Sequence, residues 1–207
     1  NSGVLKYTVE KKNRGLDSQV LGNSPLGIER NDAEFAQQLR FISASLVTEV
    51  SDEYQLKAGR QHSYRNKANE QIFTFSNNSG SLIQLIFRAY NNGVAFRYVF
   101  PEVSDKKPVI THEYTGFKIP ENAVLWLQKY DKATSYSPAY ELYYENGIAA
   151  GTKSPNAEGW ALPLLAQTKQ NWLLIAESDL KPDYCGIHLN PDPSNNTYSV
   201  RFPEQAE

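Results

Sequence analysis

The chain has 207 residues, a formal net charge of −2 and a sequence pI of about 6.0. That balance argues against a nucleic-acid partner or an anionic membrane surface. No apolar run approaches the roughly 20 residues a membrane helix needs. The length suits one large β domain with a real core. Cys185 is the single cysteine, so an internal disulfide or a cysteine metal cage is excluded.

Val4 to Lys11 reads as an opening strand, and Gly15 to Gly22 continues the pattern. Asn23-Ser24-Pro25-Leu26-Gly27 is a turn-rich break. Asn31 to Arg40 reads as one or two helical turns, and Phe41 to Gln55 as a strand interrupted at Ser51-Asp52-Glu53. Gly59 to Asn69 is polar and basic, a long connection or an exposed hairpin. Glu70 to Phe75 alternates, and Asn77-Asn78-Ser79-Gly80 turns the chain.

Leu82 to Pro101 is the clearest hairpin. Asn92-Gly93 predicts a tight type I′ turn between two arms rich in β-branched and aromatic residues. Ile83, Leu85, Phe87 and Ala89 share one face, as do Val94, Phe96, Tyr98 and Phe100. Both faces are largely apolar, which predicts a place near the centre of a sheet covered on both sides.

Val109 to Phe117 and Val124 to Gln128 are further strands. Tyr130 to Glu145 holds five tyrosines, a proline and three acids without a clean period, and reads as a long functional loop. Trp160 to Gln167, Trp172 to Glu177, Cys185 to Leu189 and Tyr198 to Phe202 complete the strands. Short strands at regular spacing predict an all-β sandwich or barrel. No linker splits the chain, so residues 1–207 are expected to form a single domain. The chain has no methionine and no apolar leader at its start, and its tail stops soon after a strand. These features lead us to expect a piece cut from a larger chain.

His62, His112 and His188 lack a metal-binding spacing, and no nucleophile elbow, phosphate loop or zinc motif occurs. Carboxylates remain. Glu141 lies inside the aromatic loop, and Glu177 ends the apolar run Trp172 to Ala176. Calcium wants several oxygen ligands, and sugar hydrolysis wants two facing carboxylates. Solvated loop acids account for the same residues. Tyr136, Tyr140, Tyr143 and Tyr144 suit either sugar stacking or a domain contact, and the second outweighs the first.

Several stretches together resemble the N-terminal domain of glycoside hydrolase family 97. They are Ser24-Pro25-Leu26-Gly27-Ile28, the run from Arg88 to Tyr98, Trp126 with Tyr140-Glu141, Leu162-Pro163-Leu164-Leu165, and Ile175 to Leu180 running to Tyr184. The resemblance spans nearly the whole chain in order. It implies a β-super-sandwich of two large twisted antiparallel sheets, of the galactose mutarotase type. It also implies a parent exo-acting α-glycosidase, an α-glucosidase or α-galactosidase of bacteria such as Bacteroidetes, periplasmic or secreted. The catalytic (β/α)₈ barrel, the partner in that picture, is not in this chain. The N-terminal domain would pack on it, contribute to the wall of the pocket for an α-linked oligosaccharide, and lend one glutamate to a calcium ion. Glu141 is the expected ligand and Glu177 the alternative, and the full-length enzyme, not the isolated piece, would hold the calcium. The piece alone is expected to have no catalytic residue and no hydrolase activity. Two other readings stand beside this one. In the first, the Tyr130–Tyr144 loop is a stand-alone carbohydrate-binding module. In the second, the chain is a mutarotase-like epimerase, for which the three histidines would have to converge on a carboxylate.

Overall fold

A computed structural model describes residues 3–12, 17–105, 107–182 and 184–204. The first two residues of the expected Gly15–Gly22 strand and the last three of the tail lie outside these. Among the described residues there are seventeen strands and no helix. The expected all-β class is the one observed.

The chain divides into two compact units, one of Asn1–Gly3 with Asp32–Pro108, the other of Val4–Asn31 with Val109–Glu207. It opens in the larger unit with β1 (Leu5–Lys11), β2 (Ser18–Leu26) and β3 (Ile28–Arg30). The smaller unit follows with β4 (Ala33–Phe35), β5 (Arg40–Ala44), β6 (Thr48–Gln55), β7 (Ser63–Ser76), β8 (Leu82–Ala89) and β9 (Val94–Val99). The larger unit is completed by β10 (Ile110–Glu113), β11 (Gly116–Lys118), β12 (Val124–Lys129), β13 (Tyr144–Ala149), β14 (Trp160–Gln167), β15 (Trp172–Ile175), β16 (His188–Leu189) and β17 (Thr197–Arg201).

In the smaller unit the sheet runs β5-β7-β8-β9, with β6 also on β7. The predicted hairpin is there, and its apolar sets meet in register: Leu85 opposite Tyr98, Phe87 opposite Phe96, Ala89 opposite Val94. The Phe87 ring lies 5.4 Å from Phe96 and 6.0 Å from Phe73. Two details differ from the sequence reading. β9 ends the sheet, so the hairpin is not central. The Ala89–Val94 register centres the turn on Asn91-Asn92, closed by the Tyr90 N–H donating to the Gly93 carbonyl at 2.8 Å, and none of these residues has positive φ. The left-handed pair occurs at Asn195-Asn196 instead, with φ 48° and 55° between bridged Ser194 and Thr197. The polar stretch from Gly59 is the exposed tip of a β6–β7 ribbon and the start of β7.

No helix forms at Asn31 to Arg40. Phe35, Ala36 and Leu39 are buried, a spacing that mimics a helical stripe. The chain instead bends through Gln38 at φ 53°, and the Leu39 N–H donates to the Gly3 carbonyl at 3.0 Å. The expected break at Asn23–Gly27 is carried as strand to Leu26, with Pro25 opposite Lys6.

The larger unit holds a sheet in the order β11-β17-β16-β14-β12-β13, with β15 on β14. Period-two alternation sorts its side chains. Leu125, Leu127, Leu164, Ala166 and Ile175 turn inward with Trp160, Leu189 and Tyr198 to form a single core, joined by Leu21 from β2. Each leucine or isoleucine among them contributes about 1.5–3 kcal/mol by burial. β13 takes the last two residues of the expected Tyr130–Glu145 loop and runs on through Asn146-Gly147. The strand absorbs this pair as a bulge, Gly147 at φ 70° lying between residues paired with Leu125 and Trp126.

Gly159 precedes β14 at φ 96°, and a Cβ there would lie 2.0 Å from the Leu189 carbonyl oxygen. Gly159→Ala is therefore expected to destabilise the chain by about 3 kcal/mol or more. Gly80, at φ 88° with nothing within 4 Å of an added Cβ, should cost about 1 kcal/mol as alanine. Urea unfolding midpoints of the two variants check the difference.

Candidate functional site: a braced tyrosine loop and a half-buried carboxylate pair

β12 leaves the core at Lys129, and the next fourteen residues, 130–143, form no regular structure. Their neck is held at several points. The Tyr130 N–H donates to the Gly159 carbonyl at 3.0 Å, and Asn156 Nδ2 donates to the Tyr130 carbonyl at 2.9 Å. The Tyr130 ring sits edge-on to buried His188, with centroids 3.9 Å apart. Asp131 Oδ2 accepts the Tyr140 N–H at 2.9 Å, bridging nine residues. Gln128 Nε2 donates to the Leu142 carbonyl, and Lys132 pairs with Glu204. At the far end Thr134 Oγ1 accepts the N–H groups of Tyr136 and Ser137.

The backbone is thus tied down while its side chains are not. Tyr136 is 99%, Tyr143 94% and Tyr140 78% exposed. Glu141 is exposed among them. Tyr144 belongs to β13, opposite Gln128, rather than to the loop. Tyrosines have little to gain in water, and a braced, aromatic, weakly acidic loop has the chemistry of a contact surface.

Glu177 lies elsewhere in the same unit, just beyond β15. It is half-buried, and its Oε2 accepts the Ile187 N–H at 2.9 Å. Oε1 has no hydrogen-bond partner among the described residues. Burial raises its carboxyl above the ordinary 4.5, and the Ile187 N–H opposes that rise. Glu113, at the end of β10, was not singled out from the sequence. Its carboxyl is also raised, first by burial and further by the charge of Glu177, while a bond with Thr115 pulls it down. Cys185 adjoins the pair: burial raises its thiol, its own backbone lowers it, and both carboxylates raise it further. Nothing local marks His112-Glu113 in a strand as functional, so only the fold reveals this pairing. Among the described residues no three acids, histidines or cysteines are arranged to hold a metal by themselves.

The histidines are held apart in role. His62 is exposed at the ribbon tip of the smaller unit, with Nδ1 3.3 Å from the Leu56 carbonyl. His112 packs against Tyr114 at 4.3 Å, and His188 against Tyr130.

The sequence matches, over residues 1–204, the family described as Glycosyl-hydrolase 97 N-terminal. A protein named probable retaining alpha-galactosidase, from Streptomyces bingchenggensis (strain BCW-1), is 31% identical over 199 residues, 96% of this chain and 29% of that protein. A solved beta-arabinopyranosidase superposes with TM-score 0.85 at 26% identity, over 99% of this chain and 35% of that one. A glycoside hydrolase family 97 enzyme in complex with acarbose, from Pseudoalteromonas sp. strain K8, gives TM-score 0.71 at 20% identity, over 94% of this chain and 30% of that one. This last likeness speaks to the fold alone. The chain spans about a third of the length of these proteins.

Asp131→Ala removes one bond bracing the loop, worth about 1 kcal/mol locally. Chymotrypsin should then cut at Tyr136 or Tyr140 about fivefold faster, with the global melting midpoint unchanged. An unaltered rate would show that Asp131 does not hold the loop. A carboxyl whose folded pKa is raised keeps its proton after the unfolded chain has lost its own, so stability falls as pH rises above 4.5 through the raised value. In metal-free protein Glu113→Gln should flatten that fall, as read from urea midpoints between pH 4.5 and neutrality.

Proposed function

The chain belongs to the Glycosyl-hydrolase 97 N-terminal family, and on that premise we propose that it is the non-catalytic N-terminal domain of an exo-acting α-glycosidase. The parent enzyme would be an α-glucosidase or α-galactosidase, exported to the periplasm or secreted. The observation that carries this reading is the braced loop, whose exposed Tyr136, Tyr140 and Tyr143 await a facing surface. That surface is the catalytic barrel, and the loop helps wall the pocket for an α-linked oligosaccharide.

The site fits a role in holding calcium. Calcium takes about 6–8 oxygen ligands, so one carboxylate from this chain leaves the rest to the partner domain. Bound there, it supplies fixed positive charge beside the reacting sugar. Glu177 is better prepared than Glu141, which reverses the order expected from sequence. It is half-buried and aimed by the Ile187 N–H, and its Oε1 has no hydrogen-bond partner among the described residues, whereas Glu141 is solvated on the loop. A cation beside Glu177 would also relieve its repulsion of Glu113.

The isolated chain should release no nitrophenol from an aryl α-glucoside or α-galactoside, and measurable turnover would refute the non-catalytic assignment. In the full-length enzyme Glu177→Gln should weaken calcium binding by at least about tenfold, because ligand charge count sets affinity. Glu141→Gln should not. The opposite result returns the ligand role to Glu141, and no effect from either variant removes it from this domain.

A further inference from the structure

An asparagine followed by glycine is open to attack by its own backbone. Glycine has no side chain to shield its amide nitrogen, so that nitrogen can reach the Cγ of the preceding side chain. The chain holds two such pairs, Asn92-Gly93 and Asn146-Gly147, and the fold treats them differently. Asn92-Gly93 lies between β8 and β9, and both residues are exposed. The Tyr90 N–H closes the turn on the Gly93 carbonyl. The Gly93 N–H itself and the Asn92 side-chain amide have no hydrogen-bond partner among the described residues. A Cβ added at Gly93 would meet nothing within 4 Å, so the space around this nitrogen is open. Asn146-Gly147 lies inside β13 instead. Asn146 pairs with Trp126, and its side-chain amide donates to the Tyr144 carbonyl at 3.0 Å.

We propose that Asn92 is a site of spontaneous covalent modification, deamidation to aspartate and isoaspartate, and that its strand protects Asn146 from the same reaction. The Gly93 nitrogen attacks Asn92 Cγ and loses its proton, closing a five-membered imide. The bond from Cγ to the side-chain nitrogen breaks, and that nitrogen leaves as ammonia. Water then opens the imide at one of its two carbonyls. Opening at the side-chain carbonyl leaves aspartate at position 92. Opening at the main-chain carbonyl leaves isoaspartate, whose backbone is one methylene longer. Ammonia is exchanged for water, nothing is oxidised or reduced, and a carboxylate stands where a neutral amide stood. The formal net charge of −2 becomes one unit more negative. The tip of the β8–β9 hairpin thus records time in neutral or alkaline solution as a charge. In β13 the ring cannot close while Asn146 is held. Its amide must leave the Tyr144 carbonyl and the ladder must open first, and each tenfold slowing corresponds to about 1.4 kcal/mol of local opening. None of this rests on the glycosidase reading.

The test holds the 207-residue chain in mildly alkaline water labelled with heavy oxygen, followed by trypsin digestion and peptide mapping by mass spectrometry. The peptide from Ala89 to Arg97 should gain a labelled carboxylate at position 92 in two isomeric forms, with release of ammonia. The peptide from Ala133 to Lys153, which carries Asn146, should change at least about tenfold more slowly, because it reacts only through local opening. In strong urea the two sites should react at similar rates, since only the shared dipeptide remains. Gly93→Ala has room for its methyl group. It should suppress the reaction at Asn92 and leave the thermal midpoint unchanged. No conversion of Asn92 in the folded chain, over a period that converts it in urea, overturns the proposal. Equal rates at the two sites in the folded chain, or faster reaction at Asn146, overturn it as well. So does conversion at Asn92 that continues undiminished in Gly93→Ala.

Discussion

The placement of β12 between β13 and β14 is the constraint on which the larger unit depends. Its residues alternate strictly: Leu125 and Leu127 are fully buried, and Trp126 between them turns to the other face. Trp160 and Leu164 of β14 and Ile175 of β15 close over the same core. A one-residue slip would put Trp126 in the core and two leucines in water, several kcal/mol in the wrong direction. With that register set, the end of β12 fixes where the tyrosine loop starts, β15 points the chain at Glu177, and the indoles of Trp126 and Trp172 are left outside.

Order and exposure are thereby assigned to different residues. The tyrosine loop does not depend on its own apolar residues for order. Its neck is held by polar groups from well-packed neighbours, Gln128, Asn156 and the Gly159 carbonyl among them. Its tyrosines are spared that work and stand in water. Such a surface has already met the entropy of ordering before any partner arrives, which raises affinity for that partner. Glu177 has the same character in a drier setting, where one backbone N–H holds the carboxylate and burial disfavours its charge. On the proposed reading, both features take up their role beside a neighbouring surface.

The departures from the sequence reading have particular causes. Phe35, Ala36 and Leu39 copy the spacing of a helix face, yet a strand and a left-handed Gln38 bury them. Asn92-Gly93 carries the strongest turn signal, but the pairing of Ala89 with Val94 sets the turn one residue earlier. In each case local chemistry permits two conformations and a distant strand selects one.

By itself the sequence determined the all-β class, the hairpin arms and their shared apolar faces, most later strands and the aromatic loop. These come from period two and turn chemistry, which are local and written in neighbouring residues. It also nominated Glu141 and Glu177, with Glu141 first. Only the tertiary structure set Glu113 beside Glu177, left Glu141 in solvent, and chose which half of the apolar run Trp172-Leu173-Leu174-Ile175 faces water. An unbroken apolar run has no polar side to name its outer face. That decision belongs to the strands on either flank, whose registers are set by residues far away in the chain.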